Sequence, residues 1–305
     1  MSASRHLSEV SLLLSNYGND DVLEIVLRDW FEFLGGKPGE VVVVDGGSDA
    51  ATQEVYWRLF KAGEIDKLQL IRADHEENDK ERCYVQEYTV ANIACKPYLL
   101  WIKIDVFPFR CGHDDWLDQA VAHLDRSDVF AVGGAFNRRW EHHDGPWPGW
   151  KFVHQCTINF ALMKRSTFQA ALQEAAGEFI ARGFRGEHPF AAEAPNLKRF
   201  LLEHSFGKYI ERHHRYTLVK LDDPSWTVFH TNAKGPHLLE TRARFRAREG
   251  LEKYANAFQC PDPTKFFYYG FPVERHRASI REELGMALGR TRAGQTWRKL
   301  KRRFL

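Results

Sequence analysis

Apolar and polar positions along the first hundred residues follow two rhythms. Residues 9–15, EVSLLLS, form a short apolar run that predicts a strand. SNYGND then supplies turn residues and a cap, and VLEIVLRDWFEFL repeats its apolar positions at helical spacing until Gly35 and Gly36 end it. EVVVVDGGSD is β-branched and apolar on both faces, the pattern of a central parallel strand, and AATQEVYWRLFKAG follows it as a helix. KLQLIRAD predicts a third strand, residues 83–95 a helix, and LLWIKID a fourth strand that ends on Asp105 and is stopped by Val106, Phe107 and Pro108. Such β-α alternation predicts a parallel sheet flanked by helices, with every strand's C-terminal end on one rim, where ligands of open α/β sheets gather. Ser15 to Tyr17, Asp45 to Asp49, Asp74 and Asp105 should therefore meet in space.

Composition narrows this little. With 305 residues, 44% hydrophobic and 28% charged, the chain has the balance of a soluble globular protein, large enough for one big domain or two smaller ones. No run of about 18 apolar residues marks a membrane span and Val10 to Leu14 is too short for a signal-peptide core, so a cytoplasmic location is expected. The five cysteines lack CxxC spacing and read as reduced. Neither GxGxxG nor GxxxxGK[ST] occurs in the first half, which leaves a different kind of nucleotide site.

VSLLLSNYGND, VVVVDGGSD and LLWIKIDVFPF, in this order and spacing, resemble the strand-end motifs of family 2 glycosyltransferases. TINFALMKRSTFQAAL is similar to that family's strand, basic pair and helix behind the acceptor site, EAPNLKRFLLEHSFGKYIE to its Glu-Asp helix, and WTVFH to its late strand ending in a metal-binding His. The resemblance spans about residues 9–232. It implies a GT-A, Rossmann-like, mainly parallel mixed sheet over residues 1–236, with a nucleotide-binding half to about 136, an acceptor half over 137–236, and a C-terminal helical extension over 237–305. It further implies inverting transfer of a sugar from a UDP- or GDP-linked donor to a hydroxyl of a saccharide or lipid-linked acceptor, as in polysaccharide biosynthesis.

Carried onto this sequence, the family's donor site falls on Ser15, Tyr17 and Asp45 for the nucleoside and on Asp105 beside the ribose and diphosphate. The leaving diphosphate gains negative charge, which a divalent metal or basic groups must stabilise. The second acid of the family's Asp-x-Asp falls on Phe107, so a Mn²⁺ or Mg²⁺ ion would rest on Asp105, His230 and the donor itself. The alternative is a metal-free site using Lys80, Arg82, Lys103 or Arg110. The Asp that usually acts as base falls on Ala194, which leaves Glu193, Glu187 and His188 as candidates to take the acceptor's proton.

Other features have plainer readings. Asp49 should cap the second helix, and Asp114 and Asp115 the helix WLDQAVAHL. Asp45 either serves the donor or holds the Gly46–Gly47 turn. Trp140, Trp147 and Trp150 either stack on a sugar or plug the core. The doublets His142–His143 and His213–His214 lack metal-ligand spacing, and Arg242, Arg244, Arg246 and Arg248 read as a solvated helical face. Residues 290–305 carry seven basic residues and no acid, with Trp297, Leu300 and Phe304 on one helical face. This suits either an anionic membrane surface, peripheral on its inner face, or a helix docked on the protein, ahead of nucleic acid. Two rivals to the transferase stay open: a catalytically impaired nucleotide-sugar-binding module, and a sugar nucleotidyltransferase.

Overall fold

The computed structural model describes residues 4–71, 83–134, 143–145, 147–192, 200–231, 235–248, 265–268 and 271–274. The first half follows the predicted alternation: β1 (Val10–Asn16), α1 (Leu23–Leu34), β2 (Glu40–Asp45), α2 (Ala50–Lys61), β3 (Lys67–Leu70), α3 (Cys83–Asn92) and β4 (Tyr98–Ile102). Next come β5 (Val106–Arg110), α4 (Trp116–Leu124), β6 (Val129–Gly134), β7 (His143–Asp144), β8 (Trp150–Val153), β9 (Phe160–Lys164) and α5 (Arg165–Ala181). The last elements are α6 (Leu202–Arg212), β10 (Tyr216–Lys220), β11 (Trp226–His230), α7 (Pro236–Arg246), β12 (Lys265–Tyr268) and β13 (Phe271–Glu274).

Nine strands form one mixed sheet in the order β3-β2-β1-β4-β9-β6-β10-β8-β7. β1 to β4 are mutually parallel, and β9 runs antiparallel between β4 and β6. That reversal places the start of β9 beside the end of β4, with Ile102 opposite Phe160. Successive strand residues face opposite sides of the sheet, and both sides are buried. Leu12, Leu14, Val41, Val43 and Leu100 pack in the core that holds Trp30, Trp116 and Trp226, while Leu13, Val42, Val44, Leu99 and Trp101 pack in a second core with Phe168 and Phe206. This is why the central strands read as continuous apolar runs.

Four sequence expectations change. The fourth strand ends at Ile102, so Asp105 lies in a turn, and VFPFR, read as a stop, is itself β5, paired antiparallel with β11 in a separate two-stranded sheet. Proline is tolerated there because the ribbon has open edges. The Glu-Asp helix begins at Leu202, preceded by non-helical Phe200 and Leu201. The C-terminal extension opens with helix α7, but its next described elements, β12 and β13, form an antiparallel hairpin. The arginines of α7 and the turn after it do not form a solvated face: Arg242 Nε lies 2.5 Å and Arg246 Nη1 2.9 Å from the buried Asp29 of α1, and the Arg248 guanidinium stacks 3.9 Å from the Phe109 ring centroid. Arg244 alone of the four pairs with an exposed partner on its own helix, Glu240.

Candidate active site

Two loops at the C-terminal ends of β1 and β2 lock together. Asp45 is fully buried and its carboxylate accepts from Gly47 N (2.9 Å), Ser48 N (2.8 Å), the Ser48 hydroxyl and Tyr56 Oη (2.9 Å). A carboxylate has about four acceptor sites, so the turn consumes them. Asp45 thus holds the Gly46–Gly47 turn, one of the two roles expected of it. Asn16, unremarked in the sequence, donates to Tyr56 Oη at 2.7 Å and to Gly18 O at 2.6 Å, and Ser48 Oγ accepts from Gly18 N. Burial raises the Tyr56 phenol above its ordinary value, which keeps it a neutral donor. A Cβ on Gly46 would lie 1.7 Å from Nε2 of Gln86, whose flexible side chain reaches from α3 onto this loop. Tyr17 projects from this framework with 64% of its surface exposed. Asp49 caps α2 as expected, accepting from Thr52 N at 3.0 Å.

Past the end of β4, Lys103 Nζ turns back to donate to Ser15 Oγ (3.2 Å) and Glu87 Oε1 of α3 (2.7 Å). Two residues on, Asp105 meets His230. The β5–β11 ladder sets this meeting: Val106 is opposite His230, and Thr231 N donates to Asp105 O at 2.9 Å. His230 Nε2 then lies 3.4 Å from Asp105 Oδ2, and its Nδ1 lies 3.2 Å from Asn159 Nδ2, just before β9. The same ladder puts Phe107 opposite Phe229 and inside the core, 6.0 Å from the Phe245 ring of α7. The position of the missing second acid is thus a hydrophobic plug.

The loop before β9 continues the ring of polar groups. Thr157 Oγ1 (2.8 Å) and Ile158 N (3.2 Å) donate to Glu203, the first-turn acid of α6. Burial, and next the Glu87 carboxylate, raise the Glu203 pKa above its ordinary value, while Thr157, Ile158 and Lys103 pull it down. Ser15, Lys103, Glu87, Glu203, Asn159, His230 and Asp105 therefore succeed one another around the ends of β1 and β4 and the start of β9.

For a divalent ion, Asp105 and His230 offer two converging donors. Among the described residues no group of three or more His, Cys, Asp or Glu gathers to hold a metal. Hard divalent cations take about six or more ligands, largely oxygen, so the pair fits one edge of a shell that diphosphate and water would complete.

Of the remaining expected site residues, Glu193, Arg82, Lys80, Asp74, Trp140 and His142 lie outside the described residues, as do residues 290–305. Glu187 is exposed, and His188 Nδ1 accepts from Phe190 N at 3.2 Å. Arg110 is no rim cation: it ends β5, roughly 16 Å of strand from Asp105, donates to His113 O and lies over the Phe33 ring. Trp150 is buried and, like Trp147, packs against His123 of α4, the plugging alternative. Asp115 sits at the N-cap of α4, but its carboxylate takes Gln119 Nε2 at 2.6 Å instead of a backbone N–H. Sequence reading missed Glu87, Asn159 and Glu203. Only Glu203 carried a signal, as an acid in the first turn of α6.

No family profile matches the chain, and no curated protein matches it by sequence. Among solved structures it is similar to the mannosyltransferase PcManGT from Pyrobaculum calidifontis, in complex with GDP-Man and Mn²⁺, with 14% identity over 78% of this chain and 79% of that one and a TM-score of 0.39. No described helix is long and apolar enough to cross a membrane.

Proposed function

We propose that the chain is a glycosyltransferase that moves a sugar from a UDP- or GDP-linked donor to a hydroxyl of a saccharide or lipid-linked acceptor. The observation that carries this reading is the convergence of Ser15, Lys103, Asp105, His230 and Glu203 on one rim of the sheet. Tyr17 and Ser15 receive the nucleoside on the framework that Asp45 holds. Asp105 and His230 face the diphosphate and, with its oxygens, hold a Mn²⁺ or Mg²⁺ ion, which when bound offsets the charge of the leaving group. Lys103, in the same ring, supplies positive charge whether or not an ion is present.

Glu203 takes the acceptor proton in this reading. It stands at the start of α6, nine residues after Ala194, where the resemblance would put the base, and its raised pKa brings it nearer the working pH of a general base. Glu193, which the resemblance aligns with the Glu of the family's Glu-Asp pair, remains an alternative, as do Glu187, which is exposed, and His188, whose Nδ1 accepts from Phe190 N. The half to about residue 136 would hold the donor and residues 137–236 the acceptor.

A binding module without turnover is the second reading, favoured by Phe107 filling the core where a second acid is expected. Titration of UDP and GDP with and without Mn²⁺, followed by an assay of donor hydrolysis, separates them. Binding with slow hydrolysis supports the transferase. Binding without turnover supports the module, and release of pyrophosphate would indicate a nucleotidyltransferase instead.

A further inference from the structure

The opposite rim, where β1 to β3 begin, carries a second reactive cluster. Lys67 Nζ of β3 lies 2.8 Å from Cys95 Sγ, in the turn between α3 and β4, and 2.8 Å from Glu40 Oε1 at the start of β2. The ammonium also donates to Ile93 O at 2.7 Å. Glu40, whose side chain is only 7% exposed, accepts in addition from Cys95 N (2.8 Å) and from Ser11 Oγ. Burial alone would raise its carboxyl, but the hydrogen bonds from Lys67, Ser11 and Cys95 outweigh it and hold the pKa below the ordinary value. The thiol is exposed, so a small oxidant reaches it. Three elements thus present a nucleophilic sulfur, an amine in contact with it, and a buried carboxylate fixing the amine's position.

We infer that Cys95 and Lys67 form a peroxide-sensitive pair that closes into a covalent cross-link. The oxidant is a hydroperoxide. The Cys95 thiolate attacks a peroxide oxygen, the O–O bond breaks, sulfur is oxidised to sulfenic acid and the peroxide is reduced to water. Lys67, whose side chain is 34% exposed, gives its ammonium proton to solvent and attacks the sulfenic sulfur through its neutral amine. An S–N bond forms, the S–O bond breaks, and the hydroxyl leaves as water with a proton from nitrogen. Against the reduced pair the link lacks two hydrogens, and one hydrogen peroxide has become two waters. An added thiol reverses it by attacking the sulfur and releasing the amine. The link ties edge strand β3 to the turn leading into β4.

The test uses the full chain exposed to hydrogen peroxide, alkylated, digested with chymotrypsin and analysed by mass spectrometry. The expected product is one species joining the Lys67 and Cys95 peptides, two hydrogens lighter than their sum and restored to separate peptides by dithiothreitol. Cys95→Ser and Lys67→Arg should both lose it, and Lys67→Arg keeps a cation beside Glu40, so its fold can be checked by circular dichroism. Sulfinic or sulfonic acid at Cys95 on an unlinked peptide, formed equally fast in Lys67→Arg, would overturn the proposal. So would an unmodified Cys95 under conditions that oxidise the exposed Cys111.

Discussion

His230 Nε2 stands 3.4 Å from Asp105 Oδ2, although 125 residues separate them, because the β5–β11 ladder sets His230 across from the residue that follows Asp105. In the proposed site the two groups act as a unit on the diphosphate. Asp105→Asn and His230→Ala should each weaken Mn²⁺-dependent UDP or GDP binding by about tenfold or more, and the double variant should lose little beyond either single one. Isothermal titration with and without Mn²⁺ measures this. Full additivity, or loss equal in the absence of the ion, would show that the two do not share a ligand.

Restoring the family's second acid should fail. Phe107 is 1% exposed and packs near Phe245, so Phe107→Asp places a carboxylate in the core. The expected result is a loss of at least about 3 kcal/mol of stability, read by chemical denaturation, with no gain in Mn²⁺ affinity. A stable Phe107→Asp protein with tighter metal binding would contradict the placement of this ladder.

The strands were legible because the chain states their environment. VVVV can be buried on both faces only in a sheet covered on both sides, and the two cores divide Val41 and Val43 from Val42 and Val44 in that way. Asp105 and His230 were legible as candidates through the family's order of motifs, while their contact depends on a strand, VFPFR, that proline disguised. Asp45 looked like a ligand because its local motif is the same whether the carboxylate faces a nucleotide or its own turn. Glu87 and Asn159 had no such signal, since their relevance arises only from what α3 and the β9 approach bring together. Arg242 and Arg246 were misread because regular spacing on a helix does not reveal an acid on another one.

The pH profile of donor turnover should report Glu203. Its carboxylate is the active form, so activity should fall as pH drops through a pKa raised above the ordinary glutamate value. Since Glu87 raises that pKa and Lys103 lowers it, Glu87→Gln should move the acid limb down in pH and Lys103→Met should move it up. Glu203→Gln should lower kcat by about 10²–10⁴-fold. An acid limb that ignores both neighbours would assign the base elsewhere, Glu193 first.

The α1–α7 contact should matter to stability in proportion to burial. Arg242→Ala leaves Asp29, 5% exposed at its side chain, without its Nε and Nη2 donors and with Arg246 Nη1 as its remaining partner among the described residues, and should cost about 2 kcal/mol. Arg244→Ala removes only an exposed pair with Glu240 and should cost less than about 0.5 kcal/mol. Thermal melts of the two variants make the comparison, and equal effects would mean that α7 is not anchored through Asp29.

A crystal structure of the chain grown with UDP or GDP and Mn²⁺ tests the central claim most directly. The account predicts the nucleoside against Tyr17 and Ser15, the diphosphate facing Asp105, His230 and Lys103, and Glu203 on the side where an acceptor enters. A nucleotide bound away from this rim, with Asp105 and His230 untouched, would contradict it.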